Sequence, residues 1–133
     1  MFALLLAACA AADPDTGATP EQTSPPPQGA SSTSAEAVDL YNAGAGLQEQ
    51  GRLDEAIAEY SEAIRLNTQL VQAYFNRAIS YANLGQYRLA IDDYDQAISI
   101  DPDLALAYAN RAIAYTGLGE DREAQESVER ASV

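Results

Sequence analysis

From residue 37 onward, apolar side chains recur at steps of three and four, and the pattern breaks at evenly placed glycines. Tyr74, Ala78 and Tyr81 precede Gly85, and Ala90, Ile91, Tyr94, Ala97 and Ile98 follow it, which is the spacing of a helical face on each side of a turn. The unit repeats. Gly51, Gly85 and Gly119 stand 34 residues apart, as do Ala56, Ala90 and Ala124, then Ala63, Ala97 and Ala131, and also Asn42, Asn76 and Asn110. Four registers with one period mark tandem copies of a single helix-turn-helix unit. Each glycine is placed to end a first helix in the left-handed conformation, where a Cβ would clash. Asp101-Pro102-Asp103 closes the second unit, because proline cannot continue a helix interior.

Packing follows from side-chain size. Gly44, Ala78 and Ala112 on first helices, with Ala56, Ala90 and Ala124 on second helices, let paired axes approach closely, and Tyr60 and Tyr94 fill the volume between pairs. In the last unit Gln125 and Ser132 replace the isoleucines found at 57, 64, 91 and 98, so the final helix reads as a polar cap of the kind a solenoid needs at its end. The alternative is a truncated longer array, or a terminal face covered by a partner.

The order aromatic, small, aromatic, alanine, aromatic, proline in Tyr74, Ala78, Tyr81, Ala90, Tyr94 and Pro102 resembles the tetratricopeptide repeat family. Residues 71–104 carry the clearest copy. Residues 37–70 follow with Leu40, Gly44, Leu47, Ala56 and Tyr60 but have Thr68 in place of proline, and residues 105–133 follow with Tyr108, Ala112, Tyr115 and Ala124. The resemblance implies an all-α fold, a right-handed α-solenoid of three helix-turn-helix repeats and six helices over residues 36–133, behind a disordered N-terminal tether. It is specific for fold and weak for function, since such repeats serve many unrelated assemblies.

Upstream, an apolar run from Phe2 leads into Leu6-Ala7-Ala8-Cys9, which resembles the lipobox of bacterial lipoproteins. That resemblance implies a signal peptide ending at residue 8 and a lipidated Cys9 on the extracytoplasmic side of the bacterial envelope, periplasmic or cell-surface. Two or more acyl chains hold such an anchor, since one chain alone attaches only reversibly. The alternative readings are a fragment of an ordinary secretory signal or an incidental Ala-Leu run. The stretch is too short for a membrane-spanning helix, which needs about twenty apolar residues. Residues 9–35, rich in Pro, Ser and Thr, bury too little apolar surface to order themselves and are expected to form the tether.

Charge and composition narrow the chemistry. Twenty acidic residues against seven arginines give a net charge of −13, a sign that repels phosphate backbones, so no nucleic-acid partner is expected. Histidine and tryptophan are absent and Cys9 is the only cysteine. The usual general base, the commonest metal ligand and any disulfide are missing, which points to no enzyme, no catalytic residue, no metal and no cofactor. The alternative is an enzyme using carboxylates alone, which would need two acids converging in an enclosed pocket.

In the family, first helices line the concave face, so the resemblance places the candidate groove there. Tyr41, Phe75, Ile79, Leu106 and Ile113 fall in its registers and make a surface more apolar than solvation requires. The same side chains could instead fill gaps between repeats. Asn42, Asn76 and Asn110 form a ladder of amides able to pair with the N–H and C=O of an extended chain. Asparagine also occurs in this register for structural reasons. The basic clamp that chaperone-binding relatives use is not reproduced: Tyr41, Ala45, Leu106 and Asn110 stand at its positions, and Asn76 alone agrees. The expected function is a protein-interaction scaffold that binds a peptide segment or partner helix and meets the membrane only through its lipid. The alternative is a structural module that self-assembles into homo-oligomers through its end faces.

Overall fold

The computed structural model describes residues 29–133, which fold as α1 (Gly29–Glu49), α2 (Leu53–Leu66), α3 (Val71–Asn83), α4 (Tyr87–Ile100), α5 (Ala105–Leu118) and α6 (Asp121–Ala131). The helices pair as α1/α2, α3/α4 and α5/α6, three units in tandem with no strand among the described residues. α2 also packs on α3, and α4 on α5.

The turns inside the pairs share one hydrogen-bond scheme. Gly51, Gly85 and Gly119 have φ of 77°, 77° and 80°, the left-handed region that glycine enters without a steric penalty. Around Gly51, Arg52 N–H donates to the Leu47 carbonyl at 2.9 Å and Gly51 N–H to the Gln48 carbonyl at 3.0 Å. Gln86 and Glu120 repeat the longer bond to Tyr81 and Tyr115, at 2.8 and 2.9 Å. These are Schellman motifs, which satisfy carbonyls that a helix end would otherwise leave unpaired.

The turns between pairs use a side chain. Asn67 Oδ1 accepts from Gln69 N–H at 3.0 Å and Asp101 Oδ1 accepts from Asp103 N–H at 3.2 Å. Thr68 therefore substitutes for Pro102 without loss of the turn, because the Asx side chain at the same register makes the bond in both copies.

Alanine dominates the core. Ala56, Ala63, Ala73, Ala78, Ala90, Ala97, Ala107 and Ala114 are fully buried, and Tyr60 and Tyr94 are the largest fully buried side chains. One cluster joins Ala56, Tyr60, Ala63 and Ala73, and another joins Ala78, Ala90, Ile91, Tyr94, Ala107 and Ala114. A Cβ placed on Gly44 would lie 2.7 Å from Tyr60 Cε1, so the ring of Tyr60 lies directly on the backbone of α1. The last described helix is as polar as expected: in α6 only Ala124 and Ser127 are buried.

One boundary differs from expectation. The folded domain was expected to open at residue 36 behind a disordered tether, yet α1 begins at Gly29. Pro27 is the last residue unable to continue a helix, and Ala30, Ala35 and Ala37 are strong helix formers with no glycine or proline among them, so the helix propagates upstream from the repeat. The remaining tether, the signal segment and Cys9 lie outside the described residues.

Two glycines of α1 separate packing from propensity. Gly44→Ala is expected to destabilise the domain by about 1–3 kcal/mol, because the buried Tyr60 ring has no room to retreat. Gly46→Ala meets nothing within 4 Å and is expected to stabilise by up to about 1 kcal/mol through helix propensity. Thermal unfolding followed by circular dichroism reads both.

Candidate functional site

The surface in question is formed by the first helices. Along α5, Leu106 and Ile113 lie seven residues apart on one face and are 63% and 66% exposed, more than burial-driven packing would leave for large aliphatics. Ile113 opens into a cleft of about 180 Å³ lined by Ile79, Ala82, Asn83, Tyr94, Asn110 and Ile113. That volume suits a single side chain and is below the range of about 300–1,000 Å³ typical of small-molecule sites. A second, more polar cleft adjoins it, lined by Ala45, Gln48, Glu49, Asn76 and Asn83, with Asn83 common to both.

The aromatic candidates are engaged in packing. Tyr41 lies on Tyr60 and Phe75 on Tyr94, each with ring centroids 5.9 Å apart, the same contact one repeat on. Phe75 also lines a hollow with Gln69, Val71, Gln72, Asp101 and Leu104 at the turn end of the repeat.

The asparagines divide. Asn76 Nδ2 donates to the Tyr41 hydroxyl at 3.1 Å, and the Tyr60 hydroxyl in turn donates to Gln48 Oε1 at 2.6 Å. Burial pushes the Tyr60 phenol up to about 12, and a hydrogen bond with Asn76 pulls in the opposite direction. Tyr94 repeats this with Asn110, again pushed up to about 12 by burial. Both phenols therefore stay neutral at physiological pH and serve as hydrogen-bond partners. Asn76 and Asn110 are thus partly spent on the tyrosine of the preceding unit. Asn42 has no preceding unit among the described residues, is exposed, and makes no side-chain hydrogen bond among them.

Ile79, Asn110 and Ile113 therefore share one cleft and Asn76 lines its neighbour. Leu106 extends the apolar stripe, Phe75 borders a separate hollow, and neither Tyr41 nor Asn42 belongs to these two clefts. Sequence reasoning missed Gln48, Glu49, Ala82 and Asn83 as lining residues. Helical steps would have found them, since Gln48 and Glu49 lie seven beyond Tyr41 and Asn42, and Asn83 lies seven beyond Asn76.

On the far side of the first helices, two arginines lock adjacent units. Arg77 is flanked by Tyr74 and Tyr81, each ring centroid 5.9 Å from its guanidinium carbon. It pairs with the two carboxylate oxygens of Asp93 at 2.7 Å each and donates to Ser61 Oγ at 2.8 Å. Arg111 sits likewise between Tyr108 and Tyr115, pairs with Asp95, and donates to Ser127 Oγ at 3.1 Å. Burial pushes the Asp93 carboxyl up while the Arg77 guanidinium pulls it back. Both arginines bind residues of the protein and are turned away from the groove.

Among the described residues no group of three or more His, Cys, Asp or Glu is arranged to hold a metal ion, and no helix is long and apolar enough to cross a membrane.

Comparison with known proteins bears on the repeat as a whole. A family profile described as Tetratricopeptide repeat matches residues 71–104, and one described as TPR repeat matches residues 47–85. No curated protein sequence matches the chain significantly. Among solved structures, MamA is similar at 31% identity and a TM-score of 0.71, over 74% of this chain and 57% of that one, so the chain spans little more than half of MamA. The second TPR of Spaghetti (RPAP3), bound to the HSP90 peptide SRMEEVD, is similar at 29% identity and a TM-score of 0.72, over 75% of this chain and 93% of that one. The Arabidopsis OM64 TPR domain is similar at 26% identity and a TM-score of 0.73, over 74% and 82%. Its period, its glycine-closed turns and these matches agree, and the chain belongs to the tetratricopeptide repeat family.

Proposed function

We propose that the chain is a non-catalytic protein-interaction scaffold that binds a peptide segment or partner helix in the groove of its first helices. The observation that carries this reading is the exposed stripe of Leu106 and Ile113 running into the cleft between Ile79 and Asn110. Exposed aliphatics of this kind, next to amides with unspent hydrogen-bonding capacity, suit an apolar anchor side chain and a peptide backbone. Similar domains solved with HSP90 and HSP70 peptides support peptide binding as the general mode. The groove lacks the basic clamp, so a terminal carboxylate would meet no counter-charge.

Self-assembly through the end faces is disfavoured by charge. Asp39 occupies the register of Ala73 and Ala107, both buried under a preceding second helix, and Asp121, Gln125 and Glu129 face outward where α4 carries Tyr87, Ile91 and Asp95. Stacked copies would set like charges against each other.

The lipobox-like run Leu6-Ala7-Ala8-Cys9 supports an envelope location. Lipidation of Cys9 would hold the scaffold on the extracytoplasmic side of a bacterial envelope, where the repeat domain reaches its partner through the segment between Cys9 and α1. Expression with an alkyne-bearing palmitate analogue is expected to label the chain, and Cys9→Ser to abolish the label. An unlabelled wild-type chain would remove the anchor and leave the groove reading intact.

Crosslinking of the full chain is expected to capture a protein partner, and the double variant Leu106→Asp/Ile113→Asp to lose it while melting within about 0.5 kcal/mol of wild type, since both residues are mostly exposed. Capture unaffected by the double variant would move the binding surface elsewhere. The amide ladder is expected to split: Asn42→Ala leaves stability unchanged, whereas Asn76→Ala costs about 1 kcal/mol through its tyrosine contacts, both read by chemical denaturation.

A further inference from the structure

The two adjoining clefts differ in chemistry, and that difference identifies the occupant. One is apolar, walled by Ile79, Ala82 and Ile113, whereas the other is lined by amides and a single charged group, Glu49. Glu49 has no ion-pair partner among the described residues. No arginine is among the residues that line either cleft. Arg52, Arg65, Arg77, Arg88 and Arg111 are paired with Glu55, Glu62, Asp93, Glu120 and Asp95. Arg122 lies with the acidic residues of α6, and Arg130 lies beside the last residues of the chain.

We infer that the groove selects an internal, extended segment of a partner protein in which a lysine or arginine sits about three residues from a branched aliphatic side chain. The inference rests on the groove reading above and specifies its ligand. The aliphatic group fills the cleft between Ile79 and Ile113, and the cation meets Glu49. Adjacent packed helices lie about 8–10 Å apart, and an extended chain rises about 3.3 Å per residue. The step from the cleft between α1 and α3 to the cleft between α3 and α5 is about one helix spacing, which an extended chain covers in about three residues. Asn83, shared by both clefts, stands midway with its amide free for the peptide backbone between the two anchors. The net charge of −13 draws a cationic segment toward the protein and repels an acidic one. The chain's own first 28 residues contain neither lysine nor arginine, so they cannot supply this ligand.

The test is selection of twelve-residue peptides, displayed internally on phage, against the full chain, with the winners resynthesised blocked at both ends and measured by fluorescence anisotropy. The expected result is enrichment of a cation about three residues from Leu, Ile or Val, with Glu49→Arg weakening binding about tenfold and flattening its salt dependence, as loss of a rim charge pair should. Ile113→Asp is expected to abolish binding. Winners that lack a cation, or that bind Glu49→Arg as tightly as wild type while remaining sensitive to Ile113→Asp, would overturn the inference and leave the groove reading standing. Winners insensitive to Ile113→Asp, or no enrichment, would overturn both.

Discussion

The fold depends on burying a tyrosine in a space that only small residues leave open. Tyr60 and Tyr94 are the bulkiest side chains fully out of solvent, and each is reached from three directions: its own first helix, its own second helix, and the first helix of the next unit. The ring can sit there because Gly44 and Ala78 keep the facing backbone close. It remains satisfied because the phenol reaches an amide, Gln48 for Tyr60 and Asn110 for Tyr94. Burying so much aromatic surface without orphaning the hydroxyl lets an alanine-rich core, with little volume of its own, hold six helices in register.

Much of this was legible from spacing alone. The period of 34, the glycines at positive φ, the tyrosine wedges and the polar last helix all follow from residue type at fixed intervals, since each reflects a local rule of backbone or burial. The start of α1 was not legible, because a Ser- and Thr-rich stretch is ambiguous until a folded repeat is available to extend it. Nor were the hydrogen bonds of Asn76, which depend on a hydroxyl 35 residues away. Glu49 and Asn83 were overlooked because their registers carry unlike residues, Glu49, Asn83 and Gly117, and repetition reveals only what repeats.

That last point separates scaffold from site. Registers that repeat faithfully build the solenoid, while registers that vary from unit to unit give the groove its individual chemistry. Here the variable registers place a carboxylate on the first unit, an amide on the second and exposed aliphatics on the third.

The arginine locks carry a further implication. Each arginine meets one residue from the second helix of the preceding unit and one from its own: Ser61 and Asp93 for Arg77, Asp95 and Ser127 for Arg111. Carboxylate and hydroxyl change places between the two junctions, so each guanidinium receives one negative charge. Exchanging the second and third units would set Arg111 between Ser61 and Ser127, with no carboxylate, and Arg77 between Glu129 and Asp93, with two. The units share a backbone but are not interchangeable parts. Their sequence along the chain is written into the charge balance of the seams, which constrains how such an array can be shuffled or duplicated during evolution.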